Sequence, residues 1–357
     1  MAASDIDLIS GGAIGPACEP GEFQFGFSGL DHGHAYGMSS ALIQAGGRVA
    51  AVYDPDPAKT AAYTAQFPQA RVAASLDELL EDPSVSLVAC AAVPSRRIET
   101  GLAVQGAGKH FFSDKPGFVS LEDLARARSS VKKTGRIWAI YYSESVHNEA
   151  AVYAGALIRQ GAVGKVLNVV GLGPHRMAPA TRPDWFFDPS RAGGILTDLA
   201  SHQIEQFFFF TGVEDARILM SRVRNVTQPG HPDFQDFGEL ALLGPGGESG
   251  YFRVDWFTPD GLGIWGDGRV TILGTEGFIE IRKYIDIGRD PQGDHVYLVN
   301  GRGEEHRKVT GTVGFPFFRN LILDCLRGTR TAMGQDHAFR VAELALQAQE
   351  SALYSGA

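Results

Sequence analysis

Short apolar runs alternate with amphipathic stretches along the first part of the chain. The first run, residues 23–28, has the alternation of a strand and leads through a glycine-rich turn into a helical pattern. Strand followed by helix, repeated in this way, predicts a mostly parallel, doubly wound sheet with helices on both faces. The predicted strands cover residues 23–28, 48–54, 86–93, 110–113 and 137–142.

The pattern changes after Tyr142. From residue 216 onward, short strands are separated by glycine turns such as Gly244-Pro245-Gly246-Gly247, which is typical of an antiparallel sheet. The fold class is therefore α/β followed by α+β. The other predicted elements are a helix over 150–161, a strand over 165–172, and closing helices over 315–327 and 336–354.

Three segments follow from these patterns. Residues 1–22 predict an irregular arm, 23–145 a dinucleotide-binding domain, and 146–357 a domain for substrate binding and oligomerisation. The chain has 357 residues, of which 44% are hydrophobic and 20% charged, as in ordinary globular proteins.

Charge and cysteine usage narrow the class of protein. The net charge of -9, without any Lys/Arg-rich run, argues against a nucleic-acid partner. The longest strongly apolar run, residues 207–210, is too short for a membrane span, and the first residues lack the pattern of an export signal. Three widely spaced cysteines predict no disulfide framework, so we expect a cytoplasmic protein.

The first strand-to-helix turn has an incomplete glycine motif. If Gly29 opens the turn, Asp31 and His34 occupy the second and third glycine positions. A side chain at the second position adds bulk where backbone amides normally approach a pyrophosphate. Asp54, at the end of the second strand, suits hydrogen bonds to a ribose and would repel a 2′-phosphate, which favours NAD. In the alternative interpretation this acid belongs to a turn that caps the next helix.

Lys115 lies between Asp114 and Pro116, directly after the apolar run that ends at Ser113. Pro116 disfavours the helical conformation at the lysine. A lysine at the carboxyl edge of a parallel sheet lies where such sheets bind ligands. The alternative is a solvated lysine in a turn.

Asp198 and His202 lie four residues apart in a helix that follows Gly193-Gly194. Residues at this spacing share one helix face, and the glycine pair leaves the helix start open to a ligand. A carboxylate and an imidazole together are suited to acid/base chemistry or to orienting a substrate. They also fit an ordinary stabilising pair.

The loop before this helix carries arginines and aromatic residues. Guanidinium groups bind carboxylate or sulfonate, and an indole covers a sugar ring, so the loop predicts a polar sugar, with an anionic or a neutral sugar as alternatives. Three histidines, His32, His34 and His147, lack the spacing and carboxylate partner of a metal site, so we expect no metal. The candidate substrate-binding residues are His175, Arg176, Arg182, Trp185 and Arg191.

From about residue 23 to its end, the chain resembles the Gfo/Idh/MocA family of oxidoreductases. Residues 108–116 are similar to the family's Gly-Lys-His stretch with its Glu-Lys-Pro signature, with Asp114 in place of Glu. Residues 192–202 are similar to its Gly-Gly, Asp and His helix, and residues 274–277 and 350–352 to its sheet turn and last helix. Ile98 departs from the histidine that many members carry at that position.

The resemblance implies an N-terminal Rossmann domain, a C-terminal open antiparallel sheet, bound NAD and a sugar or cyclitol substrate. It implies that Lys115 contacts the reacting hydroxyl, that Asp198 orients the substrate or the lysine, and that His202 is the acid/base. It also implies a homodimer or homotetramer formed through the open sheet. The candidate cofactor-binding residues are Gly29, Asp31, His32, His34, Asp54, Pro94, Asp114 and Lys115.

Chemistry leaves the proton carrier open. Transfer of hydride from a secondary alcohol to nicotinamide requires a base for the hydroxyl proton, and either His202 or Lys115 can serve. Three functions remain. The first is an NAD-dependent sugar or polyol dehydrogenase. The second is an NAD-dependent glycosidase that oxidises its substrate transiently and eliminates the aglycone. The third is a sugar sensor without activity.

Overall fold

The computed structural model describes residues 14–354 of the chain. Six parallel strands form the first sheet in the order β3-β2-β1-β4-β5-β6, which confirms the predicted doubly wound fold. The two-residue edge strand β3 was not predicted. The strands are β1 Gln24–Ser28, β2 Arg48–Tyr53, β3 Arg71–Val72, β4 Val85–Cys90, β5 His110–Asp114 and β6 Trp138–Tyr141; the helices are α1 His34–Gln44, α2 Pro57–Gln66, α3 Leu76–Glu81, α4 Arg97–Gly106 and α5 Leu121–Thr134.

Local sequence explains where these helices begin and end. Asp56, Ser75 and Ser120 each precede a helix and accept a hydrogen bond from a backbone N–H of its first turn. Gly135 ends α5 with a φ of 67°, a conformation that glycine adopts without a steric penalty. Inside the sheet, apolar side chains such as Phe25 are fully buried, because helices cover both faces.

The order of the strands fixes where a ligand can bind. The chain runs from β1 outward to β2 and β3, and then returns past β1 to β4. Ligands of open α/β sheets bind where the strand order reverses, outside the carboxyl ends of the strands. Here that position lies beyond Ser28 and Cys90, beside the end of β5 at Asp114.

A nine-stranded sheet forms the second part of the structure, in the order β14-β13-β12-β11-β7-β10-β9-β8-β15. Only the β7–β10 and β8–β15 pairs are parallel, so the predicted, mainly antiparallel sheet is confirmed. The strands are β7 Val166–Pro174, β8 Arg217–Arg224, β9 Phe237–Leu243, β10 Ser249–Asp255, β11 Arg269–Gly274, β12 Gly277–Arg282, β13 His295–Asn300, β14 Gly303–Lys308 and β15 Leu353–Tyr354; the helices are α6 Ser143–Val146, α7 Glu149–Arg159, α8 Pro189–Ala192, α9 Ser201–Thr211, α10 Pro316–Arg327 and α11 Gln335–Glu350.

The last part of the chain departs from its predicted form. A helix was expected to reach Tyr354, but α11 ends at Glu350, and Leu353–Tyr354 pairs with β8 instead. The preceding helix, α10, returns to the first sheet. Its Phe317 is buried against Phe112 of β5, with ring centroids 5.8 Å apart. Helix α10 thus contributes to the apolar core of the first sheet.

The remaining expectations concern the N-terminal arm, the cysteines and membrane-spanning helices. Residues 14–22 of the predicted arm form no helix or strand, and Ala17 N–H donates to Ala45 O at the end of α1; residues 1–13 lie outside the described range. Cys18, Cys90 and Cys325 are free. Among residues 14–354, no helix has the length and apolar character needed to cross a bilayer.

Candidate active site

Lys115 and Asp198 form the ion pair at the centre of the site. Lys115 follows β5 directly, and its Nζ lies 2.7 Å from Asp198 Oδ1. The lysine side chain is 4% exposed and the aspartate side chain 21%, so the carboxylate faces the more open side of the pair. Lys115 follows a strand of the first sheet, and Asp198 belongs to the part of the chain that forms the second sheet. The pair therefore lies in the cleft between these two parts.

Asp114 lies beneath this pair and is completely buried. Its two oxygens accept hydrogen bonds from three donors: Arg97 Nη2 at 3.2 Å, His34 Nδ1 at 2.8 Å and the Lys115 backbone N–H at 2.8 Å. His32 Nδ1, which accepts the His34 backbone N–H, lies 3.2 Å from the carboxylate. Burial raises the pKa of Asp114, but His34, Arg97 and His32 outweigh it and hold that pKa below its usual range. The carboxylate therefore fixes the backbone position of Lys115.

Arg97 was missed by sequence reasoning. It is fully buried, and besides Asp114 it donates to Ala92 O at 2.7 Å and Pro116 O at 2.9 Å. It follows Pro94, which is also buried and begins a short 3₁₀ turn after β4. No spacing rule distinguishes this arginine from the adjacent Arg96, because burial depends on how the turn packs against β5.

The glycine-rich turn after β1 packs closely against the end of β4. Gly29 adopts a φ of 79°, and a Cβ there would lie 2.5 Å from Ala92 Cβ, so only glycine fits between β1 and the end of β4. Asp31 does not stand as an isolated charge: its carboxylate accepts Val93 N–H at 3.1 Å and pairs with Lys59 Nζ at 2.6 Å. Because Lys59 balances its charge, Asp31 would repel a pyrophosphate less than an unpaired carboxylate would.

A dinucleotide fits the arrangement at this edge. Asp54 is 7% exposed at the end of β2, where its oxygens accept the Leu30 and Asp56 backbone N–H groups and retain lone pairs for a ribose. The N-cap of α1 is Gly33, which makes no side-chain cap, and an added Cβ would meet no atom within 4 Å. An open helix N-terminus suits a phosphate. Gly29, Gly33 and Asp54 would hold the dinucleotide.

His202 lies behind the ion pair and is 2% exposed. Burial lowers its pKa well below the usual value, and Lys115 lowers it further, whereas Glu144 raises it. Its Nδ1 makes no hydrogen bond to any residue within 14–354. A neutral imidazole at this position is available to take up a proton.

The helix that carries Asp198 and His202 differs from its predicted form. The segment Leu196–Ala200 is π-helical, and regular α-helix begins at Ser201, so Asp198 and His202 do not share one face of a uniform α-helix. Gly194 is packed closely on one side. A Cβ there would lie 2.4 Å from the side chain of Gln349, whose Oε1 accepts the Leu196 N–H. On this side the start of the helix is covered by α11.

The histidines and one carboxylate form a group that could reach a cation. His32, His34 and Asp114 place ligand atoms within 4.8 Å of one another, so these histidines do have the carboxylate partner that the sequence analysis denied them. Arg97 donates to the same carboxylate, and a guanidinium beside it opposes a bound cation. The absence of a metal stays a prediction.

The arginine loop folds against the second sheet. Arg176 donates to the carbonyls of Leu262 and Ile264, and Arg182 donates to those of Met177 and Arg176. The Arg182 guanidinium lies over Phe186 and Trp256, and burial lowers its pKa although Asp198 raises it. Both guanidinium groups thus donate hydrogen bonds to backbone carbonyls of the protein itself.

The other residues of this loop differ in position. His175 lies near the charged residues of the site, since Glu144, Lys115 and Asp198 all affect its pKa. Burial has the largest effect and lowers that pKa to about 4. Trp185 is half-buried against Phe186. Arg191 is half-buried; its backbone N–H donates to Asp188 O at 2.9 Å, and its side chain makes no hydrogen bond or ion pair with residues 14–354.

An aromatic wall beside His175 was not predicted. The His175 ring lies 4.5 Å from Trp265 and 5.4 Å from Trp256, and Tyr284 lies 4.4 Å from Trp265 on the other side, all between ring centroids. Trp265 is 37% exposed. Arg176 positions its loop through the carbonyls of Leu262 and Ile264. The aromatic composition of this region was visible in the sequence, but its proximity to His175 depends on the strand order.

Comparisons with known proteins agree with this architecture. Residues 25–142 match the oxidoreductase family with an NAD-binding Rossmann fold, and residues 152–280 match the GFO/IDH/MocA C-terminal domain. A protein of known crystal structure from Erwinia carotovora atroseptica SCRI1043 is 46% identical, with a TM-score of 0.90 over 93% of this chain and 99% of that one.

Two curated relatives come from Bacillus subtilis. The scyllo-inositol 2-dehydrogenase (NADP+) is 26% identical over 51% of this chain and 51% of that protein. The scyllo-inositol 2-dehydrogenase (NAD+) is 25% identical over 63% of this chain and 61% of that protein. The chain thus spans about half to three fifths of the length of these relatives.

A dinucleotide-binding sheet whose edge lysine meets an acid from an open antiparallel sheet defines a two-domain oxidoreductase. With both domains matched in order, the chain belongs to the Gfo/Idh/MocA family. The family model for the first part of the chain describes oxidoreductases with an NAD-binding Rossmann fold, and the two curated relatives are inositol dehydrogenases.

Proposed function

We propose that the protein oxidises a secondary hydroxyl of a sugar, sugar acid or cyclitol with NAD as the acceptor. The observation that supports this most directly is the Lys115–Asp198 ion pair at the carboxyl edge of the first sheet, with neutral His202 on the same helical segment as Asp198. A cation, a carboxylate and an unprotonated imidazole together meet the needs of alcohol oxidation.

Each of the three side chains has a distinct role in this proposal. The Lys115 ammonium, held by Asp198, donates to the substrate oxygen and stabilises negative charge as the hydroxyl proton leaves. His202 takes up that proton, since burial holds its pKa well below the usual value and keeps it neutral beforehand. When bound, the oxidised nicotinamide supplies the acceptor for the hydrogen on carbon.

The preference for NAD rests on the end of β2. Asp54 would place a carboxylate beside the adenosine ribose, where it accepts hydrogen bonds from hydroxyls and repels a 2′-phosphate. Lys59 lies nearby, but its ammonium is paired with Asp31 at 2.6 Å. The two Bacillus subtilis relatives differ in cofactor, so this preference is decided by the chain's own residues.

We further propose that the substrate lies against the aromatic wall and that the protein is a homodimer or homotetramer. Trp265 and His175 offer ring faces near Lys115, and apolar sugar faces stack on such rings. On the second sheet, Tyr251, Leu273 and Phe278 are exposed, which suits contact with another copy.

The experiment has two stages. The purified protein is denatured and the released dinucleotide is identified by mass; candidate sugars and cyclitols are then added to intact protein while NADH absorbance is followed. Stoichiometric NADH that disappears in the Lys115→Met variant supports the proposal. A product formed from a glycoside without accumulating NADH would point to the transient-oxidation glycosidase, and sugar binding with no dinucleotide affinity would point to a sensor.

A further inference from the structure

A buried ion pair outside the three proposed catalytic residues joins several segments of the molecule. Glu144, in α6, and Lys283, directly after β12, have side chains that are 3% and 0% exposed. Lys283 Nζ lies 2.5 Å from Glu144 Oε2, and Gln203 Nε2 donates to the same oxygen at 2.9 Å. Gln206 Nε2 adds a fourth group to this cluster at 3.3 Å. Burying a charge without such partners is costly, so we regard this enclosed carboxylate as an ordered part of the site.

The cluster lies directly behind His202. Gln203 and Gln206 belong to the same helix as the histidine, and Gln206 Nε2 also donates to His202 O at 3.2 Å. The Tyr142 ring, two residues before Glu144, meets the His202 ring edge-on with centroids 6.5 Å apart. The imidazole is thus enclosed on this side by the elements that hold the carboxylate.

Strand β7 is shaped to keep this arrangement. A Cβ on Gly171 would lie 2.4 Å from Gln203 Oε1, and one on Gly173 would lie 2.8 Å from Gln203 Nε2. Glycine at both positions leaves room for the side chain of Gln203 to reach Glu144. A residue that only filled space would not need two glycines and an amide directed at a buried carboxylate.

The groups that shift the pKa of His202 come from several elements, and Glu144 is the negative one among them; Asp198, which is paired with Lys115, and the buried Glu205 of the same helix are further carboxylates nearby. Lys115 after β5, His175 after β7 and His34 of α1 all lower the pKa of His202, in addition to burial, which has the largest effect. Glu144 raises it. Lys283 and the surrounding charges hold the pKa of Glu144 below its usual range despite its burial, so this carboxylate is ionised at neutral pH.

We propose that Glu144 is a positioning residue that supplies the countercharge for the proton that His202 takes up. Lys283 and the two glutamines hold this carboxylate in place. The role rests on the proposed function, in which His202 receives the hydroxyl proton, and it identifies the group that stabilises the resulting imidazolium.

Three variants separate this role from a structural one. Glu144→Gln and Lys283→Met each break the buried pair, and both are expected to lower stability. The double variant removes both charges and is expected to recover much of it. Under the proposal, kcat falls about tenfold to a thousandfold in Glu144→Gln and in the double variant, so the stability that the double variant recovers does not restore kcat. KM for the sugar changes little in all three.

The opposite pattern would overturn the proposal. If the pair only holds the fold together, kcat will follow stability, so that both single variants are impaired and the double variant is rescued. Asp324→Asn is the matched control, because Asp324 is also a 2% exposed carboxylate but caps the loop after α10. It is expected to lose stability without losing kcat.

A measurement without substrate keeps the inference independent of the proposed activity. In ¹⁵N-histidine-labelled, cofactor-free protein, the His202 ring resonances are identified by their loss in His202→Gln and followed from about pH 8 down to about pH 3, because the His202 pKa lies well below its usual value. Protonation is expected at lower pH in Glu144→Gln than in wild type. Curves that superimpose would reject the countercharge, whereas a clear shift in a protein without dehydrogenase activity would reject only the proposed function.

Discussion

Replacing Arg97 with methionine tests how the buried Asp114 fixes the site. The guanidinium donates to Asp114 Oδ2 at 3.2 Å and to the carbonyls of Ala92 and Pro116, and both charged side chains are at most 1% exposed. Methionine has a similar length and fills part of the space without any donor. The substitution therefore removes the charge and three hydrogen bonds from the junction between β4 and β5.

The size of the effect follows from what remains around Asp114. Removing one partner of a buried ion pair typically costs about 3–5 kcal/mol. Two further donors, His34 Nδ1 and the Lys115 N–H, stay within 2.8 Å of the carboxylate and reduce the penalty. The two released carbonyls act in the other direction, since unpaired buried acceptors are unfavourable. We expect a loss of about 3–4 kcal/mol in the free energy of unfolding.

The assay is urea unfolding followed by tryptophan fluorescence, with the first transition compared between variants. Arg128→Met is the matched control, because this arginine pairs with Glu343 at 3.0 Å while 39% exposed, and its loss should cost about 1 kcal/mol or less. Arg97→Met/Asp114→Asn should be less destabilised than the sum of its two single variants. Equal losses in Arg97→Met and Arg128→Met, or strict additivity, would refute the account of Asp114 as a charge that depends on Arg97.

The pH dependence of this difference has a defined sign. Because the folded-state pKa of Asp114 is lowered, its ionisation contributes stability that is present above the unfolded carboxyl pKa of about 3.9 and is lost as pH falls through the folded-state value. Loss of Arg97 raises that folded-state value. The difference between wild type and Arg97→Met should therefore be constant from about pH 7 to 5 and become smaller below about pH 4.

The remaining predictions concern the site itself. Lys115→Met and Asp198→Asn should each lower kcat by about a hundredfold to a thousandfold, with a smaller change in KM, in a steady-state NADH assay; unchanged kcat would exclude the ion pair from catalysis. Asp54→Asn should raise the use of NADP relative to NAD by about tenfold, measured as a ratio of kcat/KM, and an unchanged ratio would place cofactor selection elsewhere. Gly171→Ala should displace Gln203 and cost about 1–3 kcal/mol in thermal unfolding, whereas wild-type stability would show that β7 tolerates a side chain there.

The strand and helix pattern predicted the first sheet well because burial on both faces leaves a strong local signal. Fully buried strands appear as short apolar runs, and helix starts carry capping residues such as Ser75 and Ser120. The weakest result concerned β3, which has two exposed residues and forms only by pairing with β2. A strand made by its neighbour alone gives no hydrophobic pattern to detect.

The helix around Asp198 shows a different limit of sequence reasoning. Its residues are compatible with regular α-helix, and a spacing of four predicts one shared face. In the structure, Gln349 and Gln235 accept backbone N–H groups at its start, and the first turn widens into a π-helix. These glutamines lie 153 and 40 residues away from the N–H groups that they bind. Distant side chains thus changed the local helix geometry, which no local pattern can report.

The same argument explains why the proposed catalytic residues were easier to identify than their surroundings. Local sequence features point to all three residues. Lys115 lies between a strand end and a proline, and Asp198 and His202 follow a glycine pair. Glu144 and Lys283 are separated by 139 residues, and each alone is typical of a solvated surface residue. Only the approach of β12 to α6 buries them together, and this burial gives the carboxylate its influence on the nearby histidine. Groups that tune a reaction through burial are specified by tertiary packing, so they become visible only once the two sheets have been placed together.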